Sequence, residues 1–98
     1  MRFDKQIQLF VLEDIQDGLG GHMESERFIC FRYANIEELS LETTIKIYGE
    51  AVTQNVKAII LGDVQKIDKI KINDTKYKVI SQRKIKNKTS FFLEVDNG

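Results

Sequence analysis

The amino-acid sequence predicts an all-β chain: a small antiparallel β-barrel or sandwich of about six or seven strands, with a long Gly-rich loop after the first strand. Three observations lead there. Apolar residues recur at every second position through most of the chain, the period of a strand whose side chains point alternately to opposite faces. Turn-forming residues such as Asn73-Asp74 and Lys86-Asn87-Lys88 separate the alternating segments at short intervals. Proline is absent from all 98 residues, so no strand edge lacks a backbone N–H for pairing.

Taken in order, Ile7, Leu9 and Val11 alternate with Gln6, Gln8 and Phe10 in a first strand. A second runs from Arg27 to Ile36, with Phe28, Cys30 and Ala34 on one face and Ile29, Phe31 and Tyr33 on the other. Apolar residues on both faces predict a central strand. Between them, Glu13 to Glu26 reads as a long mobile loop around Asp17-Gly18-Leu19-Gly20-Gly21-His22, because glycine permits left-handed backbone angles and close approach to a partner. A short helical turn is an option at Ile36 to Leu39. Thr44 to Tyr48 alternates like a strand that Gly49 ends, and Val56 to Leu61 reads as another. Helix competes there, since Val52, Val56, Ile59 and Ile60 form a helical stripe, but β-branched residues between Gly49 and Gly62 favour strand. Ile70 to Val79 reads as a hairpin turning at Asn73-Asp74. After a turn at Lys86 to Lys88, Thr89 to Val95 supplies Phe91, Leu93 and Val95 to one face.

A chain of 98 residues and 11.4 kDa is expected to be one domain over 1–98, with a thin margin of stability that oligomerisation would help. No apolar run approaches 18 residues, and the start Met1-Arg2-Phe3-Asp4-Lys5 has no signal-peptide core, so the expected compartment is the cytoplasm with no membrane partner. A single Cys30 suits a reducing environment. The formal net charge of zero hides an asymmetry. Residues 1–63 carry six Lys/Arg against eleven Asp/Glu, while residues 64–90 carry nine against two.

Catalytic chemistry has little to stand on. His22 is the only histidine, and no Ser or Cys sits in a nucleophile motif. Gly18-Leu19-Gly20-Gly21 lacks the Gly-Lys-Ser/Thr ending of a phosphate loop, and the nearby acids Glu13, Asp14, Asp17, Glu24 and Glu26 lack calcium-loop spacing. No enzyme activity, metal or cofactor is therefore expected. The strongest physical lead is the basic stretch Lys66, Lys69, Lys71, Lys76, Lys78, Arg83, Lys84, Lys86 and Lys88. On a hairpin its lysines share one face, which suits either phosphates or solvent. Identical subunits in a ring offer a third use, placing one acidic part beside the next basic hairpin.

The order and spacing of the segments resemble the phage head-tail joining family, the small head-closure (head-completion or stopper) proteins of long-tailed phages that infect Gram-positive bacteria. The resemblance rests on the loop Asp17-Gly18-Leu19-Gly20-Gly21 after a first strand, on Tyr33-Ala34-Asn35-Ile36 with Leu39, and on Lys46-Ile47-Tyr48-Gly49. It continues through Tyr77-Lys78-Val79-Ile80-Ser81 and Lys88-Thr89-Ser90-Phe91, so it spans nearly the whole chain. Tyr33 stands where the family commonly has Trp, and Asp74 where it has Gly in the hairpin turn. What the resemblance implies is a β-barrel-like ring subunit, in a dodecamer or hexamer, at the virion neck of a phage or prophage. The ring binds a portal-bound adaptor and a tail completion or terminator protein, and it retains packaged double-stranded DNA. The subunit passes through the host cytoplasm during assembly. Under that reading Asp14, Asp17, Gly18, Gly20, Gly21, Glu24 and Glu26 form a channel or docking loop, and Gly49, Glu50, Thr53 and Gln54 form a rival gate. The basic hairpin serves as a subunit interface or a DNA contact. The alternative is a small β-barrel that binds nucleic acid through residues 66–88.

Overall fold

Among the described residues the chain forms six strands: β1 (Lys5–Gln16), β2 (His22–Glu38), β3 (Val56–Leu61), β4 (Lys69–Ile72), β5 (Thr75–Ile85) and β6 (Lys88–Val95). The computed structural model describes residues 2–16, 20–38 and 56–96. The strand expected at Thr44 to Tyr48, the rival gate at Gly49, Glu50, Thr53 and Gln54, and the loop residues Asp17 and Gly18 lie outside them. Every neighbouring pair is antiparallel, and the order β1-β2-β3-β6-β5-β4 closes into a barrel when β4 pairs with β1 from Ile7 to Phe10.

Alternation places one face of each strand inside. Ile7 and Leu9 of β1, Ala34 of β2, Val56, Ala58 and Ile60 of β3, Ile70 and Ile72 of β4, and Phe91 and Leu93 of β6 form one apolar core. Each fully buried large side chain contributes about 1.5–3 kcal/mol through loss of contact with water. The period decides between strand and helix in β3. Val56, Ala58 and Ile60 enter the core while Ile59 stays out of it, whereas a helical stripe groups Val56 with Ile59 and Ile60. The optional helical turn at Ile36 to Leu39 gives way over Ile36 to Glu38, which pair with Ala58, Lys57 and Val56, while Leu39 lies outside the described residues.

Two features of β1 and β2 correct the sequence reading. Pairing does not stop at Val11. It continues through Glu13↔Ser25, Asp14↔Glu24 and Gln16↔His22, so Asp14, Glu24 and Glu26 belong to strands and the connection shortens to residues 17–21. Beyond Phe10 neither strand has a second partner, and the pair projects from the barrel as a two-stranded ribbon. Val11 at the ribbon's base still reaches the core, but farther out the ribbon satisfies backbone groups along its inner edges without a packed face, so its side chains need no apolar alternation. Gly20, at φ +89°, supplies the left-handed backbone near the tip.

The second correction is a β-bulge. Leu9 pairs with Cys30 and Phe10 with Phe28, leaving Ile29 as the extra residue. The bulge moves Phe28 to the side of Phe31 and Tyr33. The expected strand buried on both faces instead exposes those three aromatics to solvent.

Residues 62–68 cross the barrel end between β3 and β4 without forming a strand, yet Ile67 is fully buried in the core. Side chains hold this crossing in place. Gln82 Oε1 accepts the Ile67 N–H at 2.9 Å, and Gln82 Nε2 donates to the Gln65 carbonyl at 3.1 Å. The Asp68 carboxylate accepts the Leu12 N–H at 2.8 Å, while its backbone joins Phe10 and Val79. Arg32 donates to the carbonyls of Leu61 and Asp63, and Thr89 donates to that of Gly62.

Candidate functional site

Charge on the outer face is arranged by strand register. Ile70 and Ile72 point inward, so Lys69 and Lys71 point outward, and they stand opposite Lys78 and Lys76 in a block of four lysines. Like charges directly across a sheet destabilise it unless anions intervene. Three of the four have such an anion: Lys69 pairs with Asp96, Lys76 with Glu26, and Lys78 with Glu94 at 3.9 Å. Lys84 pairs with Asp63 at 3.1 Å. Among the described residues Lys66, Lys71, Arg83, Lys86 and Lys88 form no ion pair. They are divided between the 62–68 crossing, β4, β5, the β5–β6 turn and the start of β6.

The acidic residues divide in the same way. Glu26 and Glu13 are neutralised by Lys76 and Arg27. Asp14 and Glu24 face each other across the ribbon, both exposed, with no cation paired to either among the described residues. Gly20 and Gly21 belong to the connection at the ribbon's tip. The structure therefore gathers most of the expected loop residues onto one projection, but as a strand pair and its turn.

An apolar band on the outer face was not legible in the sequence. Phe28, Phe31 and Tyr33 are 44%, 52% and 60% exposed along β2. Phe28 packs edge-on to Phe10 and to Phe31, with ring centroids 5.7 and 4.9 Å apart. Lys76 sits 5.7 Å from the Phe10 ring centre, a favourable cation–π distance. Because Ala34 pairs with Ile60, the next residue, Leu61, continues the row of Tyr33, and Leu61 pairs in turn with Lys88 opposite Ile85. Leu61 and Ile85 are also exposed. Large apolar side chains gathered on one face mark a surface that another molecule covers. The signal that hides the band is the bulge at Ile29, which simple alternation does not reveal.

Depressions indent the surface among the described residues, and two of them bear on the charge pattern. One of about 570 Å³ is lined by Asp63, Lys66, Asp68, Ser81, Gln82 and Lys84 among others, and Asp63, Asp68, Gln82 and Lys84 are already engaged in the bonds described above. The other, of about 280 Å³, lies against β3, β5 and β6 and carries three lysines and no acid. Among the described residues no cluster of His, Cys, Asp or Glu is placed to hold a metal ion, and no helix is long and apolar enough to cross a membrane.

Among the described residues Asp63 is the group whose acidity is clearly displaced. The hydrogen bond from Lys84 holds its carboxyl below the ordinary value of 3.8, helped by the Val64 N–H and the positive charges of Lys84 and Arg32. A lowered folded-state pKa stabilises the fold above the ordinary value, and that contribution disappears as pH falls below 3.8 through the folded value. Lys84→Ala is expected to raise the Asp63 titration midpoint toward 3.8, read from carboxyl chemical shifts. An unmoved midpoint would show that the pair does not form.

A scan against protein-family models finds none that matches the chain, and a search of curated proteins finds no match either.

Proposed function

We propose that the chain is a structural subunit of a phage neck, a head-closure protein. In this reading it works as one copy in a ring that closes the portal channel after DNA packaging and offers the tail its docking surface. The observation that carries the reading is a closed small barrel whose outer face exposes an aromatic and aliphatic band while an acidic ribbon projects from its end. A barrel that satisfies its own strands needs no such band for folding, and exposed Phe and Tyr are the residue types that protein interfaces favour. The resemblance of the segment order to head-tail joining proteins supplies the biological setting. Its partners are other copies of the chain, a portal-bound adaptor and a tail completion or terminator protein, with packaged DNA inside the channel. No residue is assigned a catalytic role.

The nucleic-acid reading is weakened by the ion pairs. Lys69, Lys76, Lys78 and Lys84 meet Asp96, Glu26, Glu94 and Asp63 within the chain, which removes much of the positive field that phosphates would need.

The test is a stop codon early in this gene in the phage or prophage that carries it. Heads that package and then lose DNA, beside intact unattached tails, are expected by electron microscopy and DNA-content assay. Complementation by the double variant Phe31→Ser, Tyr33→Ser should fail although the purified variant stays folded, losing only about 0.5–1.5 kcal/mol with the Phe28–Phe31 ring contact. Normal joined virions from the stop-codon strain would overturn the proposal.

A further inference from the structure

The 280 Å³ groove and the ribbon have opposite and unmet electrostatic needs. Lys57, Lys86 and Lys88 line the groove with Ile59 and Ile85, and none of these lysines forms an ion pair among the described residues. Lys57 instead lies 5.5 Å from the centre of the Phe92 ring. Ile59 is buried at the base and Ile85 is 60% exposed, so the groove has an apolar floor and an uncovered apolar wall. On the ribbon, the directly opposed Asp14 and Glu24 repel each other in the isolated subunit, and cations from outside would relieve that repulsion.

One copy does not bring the two together. In the closed order β1 lies opposite β6 and β2 opposite β5, and within one copy no ion pair among the described residues joins Asp14 or Glu24 to Lys57, Lys86 or Lys88. We propose that the groove is the docking site for the ribbon of a second copy, with Asp14 and Glu24 of one chain meeting Lys57, Lys86 and Lys88 of the next. Because the two surfaces differ, the contact is head-to-tail. Repetition of such a contact generates a ring if the rotation closes and a filament if it does not. The charges set orientation and register, while the exposed Ile85 surface loses water on docking. This inference rests on the ring reading above and names the surfaces that build the ring.

Sedimentation velocity on the purified chain over a range of concentration and salt tests it. The wild-type chain is expected to associate and to do so less as salt rises. Lys86→Glu with Lys88→Glu, and separately Asp14→Lys with Glu24→Lys, should each weaken association on the order of tenfold or more. Mixing the two reversed variants should restore it, because the unaltered ribbon of one meets the unaltered groove of the other and the reversed pair is again complementary. Ile85→Ser should weaken association while leaving its salt dependence unchanged. Circular dichroism and thermal melts that match wild type establish that each variant is folded. A wild-type chain that stays monomeric throughout, reversed variants that associate like wild type, or a mixture that stays monomeric would each overturn the proposal. If docking fails while the stop-codon strain still releases DNA and free tails, the docking inference falls and the neck reading stands. If docking holds and those virions are normal, only the neck reading falls.

Discussion

Phe91→Ala is expected to lower the unfolding free energy by about 3–5 kcal/mol. Phe91 is completely buried and stands opposite Ala58 on β3 and Gln82 on β5, so its ring occupies space that small or polar neighbours leave open. Removing the ring forfeits its transfer free energy and adds a cavity that a closed sheet relaxes poorly around. A domain of this size has only about 5–15 kcal/mol in total, so the variant should retain a small fraction of its stability or unfold near physiological temperature. Urea denaturation followed by circular dichroism measures the effect. The midpoint should fall with little change in slope, since the surface exposed on unfolding hardly differs. A loss below about 1 kcal/mol would mean that the ring is not in the core.

Strands with one face in the core were legible because their burial leaves a period of two. Ile70 and Ile72 against Lys69 and Lys71 show it in four residues, and Phe91 and Leu93 show it again in β6, while Val95 of the expected face is only half-buried. The turns at Asn73 and Lys86, at φ 56° and 57°, also fall where turn residues predicted them. The ribbon was not legible. Beyond Val11 no packed core marks one face, so Glu13, Asp14, Glu24 and Ser25 satisfy a strand pair as well as a loop, and composition alone favours the loop. The bulge at Ile29 shifts the faces of β2 without leaving a glycine or proline to mark it. For the charged site, the basic residues were visible but their partners were not. Glu26 meets Lys76 across 50 positions and Asp96 meets Lys69 across 27, distances over which only the closed topology brings them together.

The 62–68 crossing should respond as a unit to substitution at Ile67 and Gln82. Ile67→Ala is expected to cost about 2–5 kcal/mol, as for any fully buried isoleucine, although it stands outside every strand. Gln82→Ala should cost about 1–3 kcal/mol, because the Ile67 N–H and the Gln65 carbonyl lose the side chain that pairs with both. The two losses should not add. Once either anchor is gone the crossing is loosened, and the second substitution removes a contact already weakened, giving a coupling of about 0.5–3 kcal/mol in a double-mutant cycle. The loosening should reach the ribbon through Asp68, whose carboxylate accepts the Leu12 N–H where β1 leaves the barrel. Amide hydrogen exchange at Leu12 should therefore accelerate in both single variants, while Ile59 and Ile60 in the middle of β3 keep protection that follows global unfolding. Strict additivity, with an unchanged Leu12 rate, would mean that the crossing fills the barrel without steadying the ribbon. Coupling with faster exchange would make it the element that joins core packing to the position of Asp14 and Glu24.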